Sequence, residues 1–158
     1  MKIIDTTTFF EEHLMMEVRF NILNPYVDKF VVCEARFSHS GKEKDIKFSK
    51  KNFPQFEHKI DHLIVDKEPD DIIKKKNLST SDLRLNSVSR IRYQRNFIGN
   101  SLMDYAANDY VIHSDNDEIP NLENFDLKKN KNKIIIFNQK LFYYKLNLSL
   151  TDLSWFGS

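Results

Sequence analysis

The sequence predicts an α/β fold in which a mostly parallel β-sheet is flanked by helices. Short apolar runs alternate along the chain with segments of helical periodicity, and this order is typical of parallel strands joined by right-handed crossovers. The run FVVC at residues 30–33 is apolar without alternation, which indicates a strand buried on both faces. The length of 158 residues suits one core, so we expect a single domain over residues 1–158.

Strands and helices alternate in the first half of the chain. The predicted strands are residues 2–5, 30–33 and 63–65. Residues 11–23 are expected to form a helix, because apolar side chains recur near the helical spacing and the pair Asn24-Pro25 ends the pattern. The recurring side chains are Leu14, Met15, Val18 and Ile22. Pro54 favours a short helix at residues 53–59.

The second half begins with a polar segment and continues with a long helical pattern. Residues 66–81 are charged and aperiodic, so we expect a mobile loop there. Residues 83–107 are expected to form a helix. Its core face consists of Ile91, Ile98, Leu102 and Tyr105, and a second stripe consists of Arg92, Arg95, Asn96 and Gly99. Residues 110–112 and 134–137 are expected to be strands, and the first of these leads into an acidic segment.

The segment VIHSDNDEIP at residues 111–120 places three acids directly after a predicted strand. Carboxylates two residues apart in a turn can point at one hard cation, and Mg²⁺ or Mn²⁺ held in this way keeps open positions for phosphate oxygens. Parallel sheets bind ligands beyond the carboxyl ends of their strands, where Asp115, Asp117 and Glu118 are expected to lie. The D-x-D pair therefore suggests a metal site, and a solvated turn is the alternative.

Other acidic sites fit this segment less well. A calcium EF-hand loop needs glycine at its sixth position and glutamate at its twelfth, where this sequence has Pro120 and Asp126. A haloacid-dehalogenase-type phosphotransferase carries its two aspartates after the first strand, whereas here they follow several strand candidates. Metal-dependent phosphotransfer nevertheless stays open as an alternative, because it would use the same acids.

Composition limits the partners and the location of the protein. With 24 basic and 23 acidic residues the net charge is +1, which gives no support for nucleic-acid binding. The N-terminal segment lacks the apolar core of a signal peptide, and no apolar run approaches the roughly 20 residues that span a bilayer. Cys33 is the only cysteine and lies in an apolar run, so we expect a buried thiol and a reducing, cytoplasmic setting.

Three segments taken together are far more specific than the D-x-D pair. They are DTTTFFEEHLMMEVRFNILNPYVDKFVVCEARFSHSGKEK at residues 5–44, RYQRN at residues 92–96 and SDNDEIP at residues 114–120. In this order they resemble glycosyltransferase family 17, which includes β-1,4-mannosyl-glycoprotein 4-β-N-acetylglucosaminyltransferases of glycan biosynthesis. The resemblance covers nearly the whole chain.

The resemblance implies the nucleotide-diphosphosugar transferase fold called GT-A and a metal-dependent, inverting glycosyltransferase. The implied donor is a UDP-sugar that carries a hexose or an N-acetylhexosamine such as N-acetylglucosamine, and the implied acceptor is a glycan. The implied cofactor is Mn²⁺ or Mg²⁺. By the same resemblance Asp115 and Asp117 hold the metal, with Asp117 as the more direct ligand.

The resemblance also assigns residues to the sugar-nucleotide site. Asp115 belongs to this site as well as to the metal site. Arg95 and Asn96 are expected to face the nucleotide or the acids; the alternatives for Arg95 are a cation on the helix surface or a structural partner of Glu34. Glu34 is expected near the uridine, with solvation of a strand end as its alternative. The residues expected to flank the same pocket are Thr7, Phe9 and Glu11.

Glu118 and Asp152 are the candidate catalytic bases, one of which would deprotonate the acceptor while the metal stabilises the leaving diphosphate. Alternatively, Glu118 orients its loop and Asp152 caps a turn. Family members continue beyond the position of Trp155, so the fold is expected to be truncated at its C-terminus and to lack the acceptor part. A non-catalytic module that binds a nucleotide-sugar or a glycan is therefore the alternative function.

Overall fold

The computed structural model describes residues 1–130, 133–143 and 148–157. Its main sheet is parallel and consists of β1 (Ile3–Phe9), β2 (Lys29–Ala35), β3 (Ile60–Val65) and β4 (Tyr110–Ser114). The spatial order of these strands is β3-β2-β1-β4. The α-helices of the described residues are α1 (His13–Leu23) and α2 (Thr80–Phe97). Short 3-10 helices cover Lys50–Asn52, Glu57–Lys59, Ile98–Ser101 and Leu127–Lys129. The predicted α/β character and parallel sheet are confirmed.

The predicted strands at residues 2–5, 30–33, 63–65 and 110–112 each coincide with one strand of this sheet. Strand β1 continues to Phe9, however, through threonines that the sequence pattern did not assign to a strand. Thr6 and Thr7 are buried, and their hydroxyls donate to the carbonyls of Ile112 and Ser114 in β4, each at 2.9 Å. These hydrogen bonds satisfy polar side chains inside the sheet, so the strand tolerates them.

Strand β2 is buried on both faces, as the FVVC run predicted. Phe30 and Val32 belong to one core cluster, where Phe30 packs against Phe20 of α1 with ring centroids 4.7 Å apart. Val31 and Cys33 belong to a second cluster on the other face. Burial, together with the charge of the adjacent glutamate, raises the pKa of the Cys33 thiol to about 12, so this thiol stays protonated and unreactive.

Helix α1 buries a different face from the apolar stripe that suggested it. Its buried side chains are Met16, Arg19, Phe20 and Leu23, which follow the i, i+3, i+4, i+7 spacing of one helix face. Leu14 is 75% exposed and Ile22 is 46% exposed. An arginine on the buried face interrupts its apolar pattern, so the neighbouring stripe stood out in the sequence instead.

The predicted helix at residues 83–107 is wrong at both ends, because α2 runs from Thr80 to Phe97. Ser79 caps the helix: its hydroxyl accepts from the N–H of Asp82 at 3.2 Å, and the Asp82 carboxylate accepts from the N–H of Ser79 at 2.7 Å. Residues 80–81 of the predicted loop therefore belong to the helix. Beyond Phe97 the chain tightens into the 3-10 helix Ile98–Ser101.

The predicted strand at residues 134–137 is also wrong, since only Phe137 of this range lies in a strand. Strand β5 (Phe137–Phe142) pairs with β6 (Ser149–Gly157) in an antiparallel ribbon that the sequence did not predict. The predicted helix at residues 53–59 is reduced to the 3-10 helix Glu57–Lys59. Within the described ranges, no helix is both long enough and apolar enough to cross a membrane.

Candidate sugar-nucleotide site

A cleft of about 310 Å³ opens at the carboxyl edge of the parallel sheet. The order of the strands reverses at β1, because β2 lies on one side of it and β4 on the other. Such a reversal leaves a crevice beyond the strand ends, where open α/β sheets bind their ligands. The lining of the cleft includes Thr8, Phe9, Ala35, Arg95, Asp115 and Asp117.

The acidic loop, residues 115–118, forms the wall of the cleft beyond β4. Asp115 accepts a hydrogen bond from the Nη2 of Arg95 at 2.6 Å, and the two side chains are 44% and 43% exposed. Asn116 donates from its amide to the Glu12 carboxylate at 3.0 Å. Asp117 is exposed and lines the cleft. The loop therefore presents both aspartates to the cleft, and Asp115 is paired with the guanidinium of Arg95.

Beneath this loop lies a buried ion pair between Arg19 of α1 and Asp5 of β1. The side chains of Arg19 and Asp5 are 0% and 1% exposed, and the two groups are 2.7 Å apart. The same guanidinium donates to the carbonyls of Asp115 and Glu118, each at 3.0 Å. The loop is thus held from the protein interior while its side chains face the solvent.

The opposite wall of the cleft comes from the segment after β2. Lys44 lines this wall and lies over the ring of Phe10, with its Nζ 5.2 Å from the ring centroid. The same ammonium group donates to the carboxylate of Glu34. Lys44 and Arg95 therefore bring two cationic groups to a cleft that also contains carboxylates.

Glu34 itself is fully buried at the end of β2. Burial raises the pKa of its carboxyl, but His62, Lys44 and the N–H groups of Lys47 and Phe48 lower it more, to about 2. The two N–H groups donate at 2.9 Å each, and the Nε2 of His62 lies 3.6 Å away. The carboxylate is thus ionised and its oxygens are used to hold residues 44–48 against the strand end.

Sequence comparison with protein families matches glycosyltransferase family 17 over residues 1–158, which is the whole sequence. The chain belongs to glycosyltransferase family 17. The resemblance described above is therefore confirmed, and it supports an enzyme that transfers a sugar from a donor to an acceptor. No curated protein and no solved structure matches the chain.

Several of the residues assigned by resemblance meet in the cleft of this family 17 protein. They are Phe9, Arg95, Asp115 and Asp117. Arg95 pairs with Asp115 rather than with Glu34. The cleft also includes Glu12, His39, Lys44 and Gln94, none of which was assigned to the site from the sequence. Glu12 and Lys44 lie within residues 5–44, the first family-like segment. Their charge within that segment was the signal that could have identified them as candidate site residues.

Of the other assigned residues, five described ones lie outside the lining of the cleft, namely Thr7, Glu11, Glu34, Asn96 and Glu118. Thr7 is buried and bonded to β4, whereas Glu11 and Asn96 are exposed. Glu118 accepts a hydrogen bond from the indole Nε1 of Trp155 at 2.6 Å. The side chain of Asp152 lies outside the described residues.

The charges around the cleft also affect its other titratable groups. Desolvation lowers the pKa of His39 below its usual value, and the positive charge of Arg95 lowers it further, so the imidazole is neutral at pH 7. Partial burial raises the pKa of Glu12, but the N–H groups of Phe10 and Glu11 and the amide of Asn116 lower it more. The net result is an ionised Glu12 and a neutral His39 at the cleft.

Asp115 and Asp117, the two residues assigned to a metal ion by the resemblance, both line the cleft of this family 17 protein. Among residues 1–130, 133–143 and 148–157 there is no group of three or more histidine, cysteine, aspartate or glutamate side chains arranged to hold a metal. Proteins commonly bind Mg²⁺ through one or two carboxylates, with substrate phosphates and water completing the shell. The residues present therefore fit a divalent cation that is shared with a phosphorylated substrate.

Proposed function

We propose that the protein transfers a hexose or an N-acetylhexosamine from a UDP-sugar to a hydroxyl group of a glycan, with inversion and with Mn²⁺ or Mg²⁺. The observation that carries this proposal is the cleft at the strand reversal, where Arg95, Asp115 and Asp117 meet. Family membership supports a sugar transferase, and the position of the cleft at the carboxyl edge of a parallel sheet supports the GT-A fold.

The diphosphate of the donor fits between the two charged walls of the cleft. Arg95 and Lys44 supply positive charge for phosphate oxygens, and Asp115 and Asp117 supply oxygen ligands for the cation. When bound, the cation neutralises charge on the leaving diphosphate. Arg95 would exchange part of its contact with Asp115 for the phosphate, because both side chains are close to half exposed and free to adjust.

The sugar ring would then extend from the diphosphate toward the end of the acidic loop. In an inverting transfer the acceptor oxygen forms a bond to the anomeric carbon as the bond from that carbon to the diphosphate oxygen breaks. The acceptor proton passes to a carboxylate base. Glu118, the last residue of the acidic loop, and Asp152 in β6 are the candidates for this base.

Calorimetric titration with UDP, in the presence of Mn²⁺ and in the presence of a chelator, tests the proposal. We expect the wild-type protein to bind UDP only with the metal, and Asp117→Ala to weaken this binding by about tenfold or more, since a charge-assisted ligand is lost. Asp70→Ala is the matched control, because Asp70 is an exposed aspartate away from the cleft. Equal UDP affinity in Asp117→Ala, in chelator and in the wild type with metal would contradict the proposal.

Product analysis separates the alternative functions. Incubation with UDP-sugars and Mn²⁺ should release UDP, and added glycan acceptors should increase the rate. Metal-dependent UDP binding without UDP release would identify a non-catalytic binding module. Release of inorganic phosphate in place of UDP would instead support a metal-dependent phosphotransferase.

A further inference from the structure

Arg19 is a charged side chain in an unusual place, fully buried on the inner face of α1. It contacts Asp5 through two hydrogen bonds, from Nε at 2.8 Å and from Nη2 at 2.7 Å. This bidentate contact compensates the free-energy cost of desolvating both charges. It also fixes the plane of the guanidinium, so that its remaining N–H groups point away from Asp5.

These remaining N–H groups point at the backbone of the acidic loop. The Nη1 donates to the carbonyls of Asp115 and Glu118 at 3.0 Å each, and approaches the carbonyl of Asn116 at 3.4 Å. The Nη2 donates to the Oγ of Ser114 at 2.7 Å, and this hydroxyl in turn donates to the carbonyl of Glu118 at 2.9 Å. The side chain of Arg19 therefore donates to carbonyls at both ends of the loop.

This arrangement determines where the side chains of the loop can go. Carbonyls that converge on a buried cation are turned toward the interior, which leaves Asp115 and Asp117 at the cleft. The positive charge also offsets part of the repulsion among the neighbouring carboxylates. Without the guanidinium these carbonyls would keep donors from residues 114–118 themselves, the Ser114 hydroxyl and the Glu118 N–H, and the hydrogen bonds that tie the loop to α1 would be lost.

We propose that Arg19 is a positioning residue that shapes the acidic loop for the donor diphosphate and its cation. It touches neither of them and acts through the backbone of residues 114–118. The inference rests on the proposed function in one respect, namely that this loop binds the donor. The role of Asp5 is to hold the guanidinium in its plane from the opposite side.

Two variants of the ion pair test the proposal. Arg19→Lys keeps a buried positive charge near Asp5 but lacks the planar fork that reaches several acceptors at once. The double variant Asp5→Leu with Arg19→Met removes both charges together, which avoids a buried unpaired aspartate and is generally well tolerated by folded proteins. The control is Leu23→Ala, because Leu23 is fully buried on the same helix and belongs to the core cluster of that face.

The first readout is the dissociation constant for UDP in the presence of Mn²⁺. We expect it to rise by about tenfold or more in both ion-pair variants, as each lost charge-assisted hydrogen bond weakens the loop geometry. In Leu23→Ala we expect the melting temperature to fall because a cavity forms in the core, while the dissociation constant stays within about twofold because the leucine side chain makes no hydrogen bond to the loop. A similar loss of affinity in Leu23→Ala would overturn the proposal, because any destabilisation would then suffice.

The second readout is amide hydrogen exchange in the acidic loop, where the N–H of Glu118 donates to the carbonyl of Asp115 at 3.1 Å. This exchange should accelerate by about tenfold or more in the two ion-pair variants and stay unchanged in the control. Unchanged exchange and unchanged affinity in a folded variant would refute the role of Arg19. If the wild-type protein binds no UDP, the proposed function fails, and the exchange rates still decide whether Arg19 shapes the loop.

Discussion

Glu34 at the end of β2 and Asp117 beyond the end of β4 are acids at the same edge of one parallel sheet, but they have different environments. Glu34 is 0% exposed, and its oxygens accept from Lys44 and from two backbone N–H groups. Asp117 is exposed and lines the cleft. The comparison teaches that the end of a strand brings an acid near a ligand site, while the loop that follows decides whether its oxygens stay available.

The largest expected effect concerns the stability that Glu34 provides. Glu34→Ala leaves the Lys44 ammonium and two inward N–H groups without their acceptor, so the free energy of unfolding should fall by about 3 to 5 kcal/mol. The control, Asp117→Ala, should change it by less than about 0.5 kcal/mol, because that side chain is exposed. Urea denaturation of both variants measures this difference. Equal losses would mean that the two acids do not differ as the structure indicates.

A pH titration sharpens the same contrast. The pKa of Glu34 is about 2 in the folded protein, below its ordinary value of 4.5, so its contribution to stability is fully present above pH 4.5. This contribution is lost as the pH falls from 4.5 toward 2, because the unfolded chain then binds the proton more readily. Over this window the wild type should lose on the order of 2 kcal/mol more than Glu34→Gln. Parallel curves for the two proteins would rule out this account.

A smaller effect on stability than that of Glu34 is expected at the ion pair of the cleft. Arg95 and Asp115 are both more than 40% exposed, so Arg95→Gln should lower the free energy of unfolding by less than about 1 kcal/mol. Lys44→Gln should lower it more, because Lys44 is 11% exposed and its partner Glu34 is buried. The Arg95 variant should nevertheless weaken UDP binding in the presence of Mn²⁺ by about tenfold. A large loss of stability without a loss of affinity would assign Arg95 a structural role.

Much of the site could be predicted because its signals are local in the chain. The run FVVC indicated a strand buried on both faces, and the acids after residues 110–112 followed a strand that does end at the cleft. Since parallel strands share one carboxyl edge, this order was enough to bring Asp115 and Asp117 to the crevice. The family-like segments RYQRN and SDNDEIP added Arg95, whose contact with Asp115 joins the two segments.

The errors share one physical cause, which is that tertiary contacts override local patterns. The apolar stripe containing Leu14 and Ile22 lies largely on the surface, because the buried face of α1 contains Arg19. For Glu34 the sequence predicted a place near the nucleotide, which stays a prediction, but it gave no sign that the backbone N–H groups of residues 47 and 48 donate to its carboxylate. Arg19 is distant in sequence from the acidic loop that it binds, and residues 44–48 are at least ten residues from Glu34.

The sequence by itself determined the parallel α/β class, the strand that leads into the acids and membership in glycosyltransferase family 17. These properties depend on local apolar runs and on motifs in a fixed order, both of which can be recognised in the sequence. Only the tertiary structure decided which acids remain exposed, because that depends on partners brought from 10 to about 100 residues away, as with Lys44 on Glu34 and Arg19 on the acidic loop. Burial and pairing are properties of the folded surroundings, so a carboxyl group is a buried support at one strand end and an exposed group at the cleft at another.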